Sequence, residues 1–68
     1  MDKETWDKLV SARKSWVGWD LKRLKREFGE PSYSRDEGEW LGFQMDGYRV
    51  TVHMVKGKVL SADVWADH

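Results

Sequence analysis

The sequence predicts an α+β fold in which two N-terminal helices pack on a three-stranded antiparallel β-meander, in the order ααβββ. Three observations predict it. Apolar residues recur at intervals of three and four as far as Phe28, and they alternate with polar residues from position 39 onward. Between the two regimes stands Phe28-Gly29-Glu30-Pro31, a helix stop.

A chain of 68 residues is expected to form one domain, residues 1–68. A domain of this size buries only about 60% of the surface that its unfolded chain exposes. The sequence has no cysteine, which removes disulfides, thiolate nucleophiles and thiolate metal sites together. Packing must supply the stability. Five tryptophans, Trp6, Trp16, Trp19, Trp40 and Trp65, are the resource, since each large aromatic buries roughly 150–250 Å².

The first helix is expected over residues 3 to about 17. Trp6, Leu9, Val10, Trp16 and Val17 make its apolar stripe, Thr5 or Asp2 caps it, and Gly18 closes it. The second helix spans about 20–28. Asp20 caps its N-terminus, Leu21, Leu24 and Phe28 fall on one face, and Gly29 is expected at positive φ. Trp19, just before the cap, stands where a hydrophobic staple against Leu24 belongs. A helix of about nine residues is marginal alone and needs a sheet to pack on. The two helices are joined so closely that they form an αα-hairpin.

Ser32 to Gly38 reads as an exposed loop that Tyr33 anchors. Strands follow at about 39–45, 48–55 and 59–65. Their expected core face carries Leu41, Phe43 and Met45, then Tyr48, Val50, Val52 and Met54, then Leu60, Ala62 and Val64. Asp46-Gly47 signals a two-residue hairpin turn, which sets Phe43 opposite Val50. A simple two-residue loop at Lys56-Gly57 would bring Asp63 opposite Val50 and into the core. A three-residue loop through Lys58, or an equivalent bulge, sets Val52 opposite Ala62 and Val50 opposite Val64. The other sheet face then carries Trp40, Arg49, Thr51, His53, Val55, Val59, Asp63 and Trp65, unusually aromatic for a face without a covering layer.

Lysine plus arginine and aspartate plus glutamate balance at 12 each, which argues against a protein devoted to polyanions. The cations Lys22, Arg23, Lys25 and Arg26 gather on the second helix, and Asp36, Glu37 and Glu39 gather in the connection after it. The N-terminal MDKETWDKLVSARKSW has no apolar h-region, and no run approaches the ~20 residues that cross a bilayer. A cytoplasmic protein with no membrane contact is the expectation.

Gly18, Trp19, Asp20, Leu24, Phe28, Gly29 and Pro31, followed by Trp40 and by the Gly57-Lys58-Val59 turn, resemble the BamE-like family, also called SmpA/OmlA. The spacing matches the family's glycine, capping residue and apolar-Gly-x-Pro close. The aromatic partner of Trp40 falls at Phe43, one residue later than the pattern. The resemblance covers roughly residues 18–65. It implies a small α+β module for protein–protein interaction: family members act in outer-membrane protein assembly, and similar repeats occur in the β-lactamase inhibitor protein. No catalytic residue carries over, because the matched positions make turns and core. The signal peptide and acylated cysteine of those lipoproteins have no counterpart in this sequence.

His53 and His68 are the two histidines, and neither has a partner set in the sequence for metal binding or general-base catalysis. Ser32 and Ser34 have no candidate base, and the glycines open no phosphate-binding helix. The expectation is a non-enzymatic adaptor or inhibitor without cofactor or metal, monomeric or weakly dimeric, that binds another protein. Trp40, Arg49, His53 and Trp65 are the expected contact residues, because tryptophan and arginine dominate binding hot spots. The alternative is a nucleic-acid-binding accessory protein that uses Lys22, Arg23, Lys25 and Arg26 as a phosphate-contacting patch.

Overall fold

A computed structural model describes residues 2–67. It is α+β, with helices α1 (Lys3–Ala12) and α2 (Leu21–Phe28) and four strands, β1 (Tyr33–Arg35), β2 (Trp40–Gln44), β3 (Tyr48–Val55) and β4 (Lys58–Ala66). The strands form one antiparallel sheet in the order β1-β2-β3-β4.

The expectation of three strands is therefore corrected to four. The segment read as an exposed loop contains β1, whose residues pair Tyr33 with Gly42, Ser34 with Leu41 and Arg35 with Trp40. Tyr33 does anchor it. Its ring lies over Gly42, and a Cβ on that glycine would overlap the ring atoms, so the missing side chain makes the seat for the tyrosine.

The α-helical part of the first helix also ends earlier than expected. Asp2 is its cap, its Oδ1 accepting the Thr5 N–H at 2.7 Å, and Ala12 is its last residue. Arg13–Trp16 continue as a tighter 3-10 turn, and Val17, expected on the apolar stripe, is extended and exposed. No residue of α1 is buried, and Ala12 is its contribution to the margin of the core. Trp16 is the buried residue of this segment.

The connection between the helices docks on the sheet. Gly18 donates its N–H to the Val59 carbonyl at 2.8 Å, Val59 donates to the Trp19 carbonyl at 2.9 Å, and Asp20 bridges to Lys58. These contacts close the start of β4 and aim α2 across the sheet. Asp20 then caps α2 by accepting the Arg23 N–H at 2.9 Å. That hydrogen bond holds its carboxyl below the usual carboxylate range, with Lys58, Lys22 and Arg26 adding smaller effects in the same direction.

The core lies between α2, the 3-10 turn and one sheet face. It consists of Trp16, Leu24, Leu41, Phe43, Val50, Val52, Met54, Val59 and Ala62. Phe28 links the layers, its ring centroid 5.0 Å from Trp16 and 5.5 Å from Phe43. Trp19 packs on Trp16 and Phe28, with the Arg23 guanidinium 4.1 Å above its ring.

At the end of α2, Gly29 adopts φ 86° and ψ −160°, a region essentially confined to glycine. No atom stands within 4 Å of a Cβ built there, so backbone strain alone decides the cost of a side chain. Gly29→Ala is expected to lose about 1–3 kcal/mol, which for a domain of this size lowers the Tm by at least about 4 °C. An unchanged Tm would mean that the helix stop lies elsewhere.

Register follows the hydrophobic pattern in most of the sheet. Phe43 pairs with Val50, Val50 with Val64, and Val52 with Ala62, as the alternation requires. The second hairpin reaches this register through the bulge rather than the three-residue loop. Lys56 (φ 53°) and Gly57 (φ 78°) form a two-residue turn that pairs Val55 with Lys58, and the register then shifts between His53 and Met54. Leu60 is the extra residue. Val59, expected on the outer face, is consequently 2% exposed in the core, and Leu60, expected in the core, is 56% exposed. Both assignments are corrected by the same bulge.

Candidate partner-binding face

The sheet face away from the helices presents the four expected contact residues, brought there by strand alternation. Trp40 and His53 are cross-strand partners whose rings stack nearly parallel, 4.1 Å between centroids at 3°. His53 Nε2 lies 2.9 Å from Glu39 Oε1, so the ring is held from its edge by a carboxylate and on its face by the indole. Both aromatic residues are half-buried.

Arg49 and Trp65 are likewise cross-strand partners. Trp65 is 57% exposed, the highest value among the exposed large apolar side chains of the described residues. Arg49 Nη2 is 4.0 Å from Asp67 Oδ1, and Asp67 also accepts a hydrogen bond from Gln44. The Asp67 carboxylate thus frames this end of the face.

The two pairs do not merge into a single cluster. Trp40 lies on β2 and Trp65 on β4, with β3 between them and the four-residue step from His53 to Arg49 along it. Strand spacing and rise place the backbone positions of Trp40 and Trp65 about 16 Å apart. Thr51 and Asp63 occupy the intervening row, and Asp63 receives the Arg13 guanidinium at 2.9 Å.

Two further residues belong to this face and were not among the expected contacts. Leu60 is turned outward by the bulge, beside His53. Tyr33 lies over Gly42 in the row next to the Trp40–His53 stack. Gly42 was the available signal for Tyr33, since a glycine inside a strand pattern marks a close approach. No comparable signal distinguished Leu60 from Val59.

The basic set lies on the opposite side of the molecule. Lys22, Arg23, Lys25 and Arg26 are all exposed on α2, whose Leu24 faces the core. Arg23 is stacked on Trp19, and Lys25 Nζ is 3.5 Å from Glu30 Oε2. Among the described residues no group of three or more His, Asp or Glu side chains is placed to hold a metal ion, and no helix is long and apolar enough to cross a membrane. His68 lies outside the described residues.

No protein-family model, no curated protein and no solved structure matches this chain significantly.

Proposed function

We propose that the chain is a non-enzymatic protein–protein interaction module, an adaptor or inhibitor, and that the outer sheet face contacts its partner. The observation that carries this reading is the exposure of Trp65 and Leu60, at 57% and 56%, on the outer sheet face. An exposed tryptophan is the kind of anchor on which binding hot spots centre, and Leu60 adds apolar area at the other end of the face, beside His53. The Trp40–His53 stack and the Arg49–Asp67 pair add aromatic and charged groups of the kind that interfaces use. The face carries both signs of charge, Arg49 beside Asp67 and Arg13 beside Asp63, which suits a protein surface better than a phosphate backbone. The resemblance of Gly18–Pro31 to the BamE-like closing motif supports the same reading.

The second reading, a nucleic-acid accessory role, rests on the four exposed cations of α2 and the Arg23–Trp19 stack. The two readings use opposite sides of the sheet, so mutations separate them. Affinity capture from nuclease-treated lysate is expected to lose its partner on Trp65→Ser, with a loss of about 2 kcal/mol or roughly thirtyfold in Kd. Trp40→Ser is expected to weaken capture at the other end of the face, while both variants keep a cooperative unfolding transition. Charge reversal of Lys22, Arg23, Lys25 and Arg26 should leave capture intact. If an added oligonucleotide instead binds the parent chain and not that variant, with an affinity that falls as salt is added, the helix carries the function.

A further inference from the structure

Three aromatic side chains from neighbouring strands meet at one end of the outer sheet face. The Trp40 and His53 rings stack across β2 and β3. The Tyr33 ring, 42% exposed, reaches from β1 over Gly42, one row along β2 from Trp40. Alternate residues of a strand are about 6.6 Å apart, so Tyr33 and the stack stand as neighbouring rings on the surface. Trp65 supplies a further ring, its backbone about 16 Å from that of Trp40.

The polar groups around these rings are of two kinds. Each charged side chain beside them has an intramolecular partner: Asp36 lies 3.8 Å from Arg35, Glu39 2.9 Å from His53, Asp63 2.9 Å from Arg13 and Asp67 4.0 Å from Arg49. Lys58, at the hairpin end of the face, lies beside Asp20. The carboxylates are thus already engaged, and the charges of the face nearly cancel. The ring donors are in the opposite state. The Tyr33 hydroxyl and the Trp40 and Trp65 indole N–H groups make no hydrogen bond to another described residue. Arg13 Nε is the buried side-chain donor left without a partner among the described residues, so these three donors are open to solvent.

We infer that the outer face takes an uncharged proline-rich segment in the polyproline II conformation. Such a segment has carbonyls without internal partners, and its prolines have no N–H to satisfy. It therefore complements a face whose charges are paired and whose ring donors are free. Aromatic rings seat the pyrrolidine rings, the mode by which aromatic-lined surfaces recognise proline-rich chains. A polyproline II segment is also extended before it binds, so little ordering entropy is lost. Its rise of about 3.1 Å per residue covers the distance from Trp40 to Trp65 in about five residues. The inference rests on the outer face being the contact surface, and it names the chemistry of the segment that the face contacts.

The probe is capped octaproline, about 22 Å long in this conformation, and the control is a capped Gly-Ser repeat of equal length. Indole and amide chemical shifts of the intact protein are followed as each peptide is added. Octaproline is expected to give saturable shifts at the Trp40 and Trp65 indole N–H groups and at Tyr33 and Thr51, with Kd of about 0.1–1 mM. Because the ligand is uncharged, added salt should change that Kd by less than about twofold. Trp65→Ser should weaken binding about tenfold or more. Tyr33→Phe keeps the ring over Gly42 and removes its hydroxyl, and should weaken binding about two- to fivefold. Charge reversal of Lys22, Arg23, Lys25 and Arg26 should change nothing in this titration. The assignment is overturned by an absence of saturable shifts at millimolar octaproline, by equal binding of the Gly-Ser peptide, by a steep loss of affinity with salt, or by shifts centred on α2. If octaproline fails while Trp65→Ser still abolishes partner capture from lysate, the contact face stands and its ligand is not proline-rich. If octaproline fails and Trp65→Ser also leaves capture intact, the contact-face reading falls as well.

Discussion

Phe43→Ala is expected to leave the chain largely unfolded. Phe43 has no exposed surface, sits on the central part of β2 opposite Val50, and meets Phe28 of α2 at 5.5 Å between ring centroids. It is therefore the residue through which sheet and helix layer are joined. Truncating a buried phenylalanine costs about 3–5 kcal/mol from lost transfer energy and the cavity left behind. A 68-residue domain has a total stability of only about 3–10 kcal/mol. Urea denaturation followed by circular dichroism should show the midpoint of Phe43→Ala near or below zero denaturant. Phe43→Leu keeps most of the volume and should fold, at a cost of about 1–1.5 kcal/mol. An alanine variant whose Tm falls by only a few degrees would show that the aromatic cluster is not what couples the layers.

The parts of this fold that could be read from residues are those where chemistry is local. Asp20 caps α2 and Gly29 takes positive φ because a carboxylate before an apolar run and a glycine before proline each admit few other conformations. The register of β2 on β3 is likewise fixed by Asp46-Gly47 and by the burial of Phe43 and Val50. β1 was hidden because three residues, Tyr33-Ser34-Arg35, give no measurable alternation and stand among Pro31, Ser32 and Asp36, which read as loop. Its pairing is decided by a distant partner, Gly42, whose lack of a side chain admits Tyr33. The candidate face was legible in part for the same reason. Alternation assigns Trp40, Arg49, His53 and Trp65 to one side, and their separation into two pairs follows from the meander order and its registers, which set Trp40 against His53 and Arg49 against Trp65.

The bulge at Leu60 gives the sharpest contrast between two adjacent residues. Val59 and Leu60 are both aliphatic, so strand periodicity alone fits either one facing inward. The structure resolves this through the Lys56-Gly57 turn, whose two positive φ values suit the two-residue hairpin, and through the shift after His53, which restores Val52 to Ala62. Val59→Asp should therefore be strongly destabilising, because it places an unpaired carboxylate among Trp16, Met54 and the other core side chains. A loss of about 3 kcal/mol or more is expected. Leu60→Asp changes a side chain that is 56% exposed and should stay within about 0.5 kcal/mol of the parent. Thermal melts of the two variants at neutral pH decide between the bulged register and uninterrupted alternation, which predicts the reverse order. Should Leu60→Asp fold normally but lose partner capture along with Trp65→Ser, the bulge would have a second consequence: it moves an aliphatic side chain from the core onto the contact face.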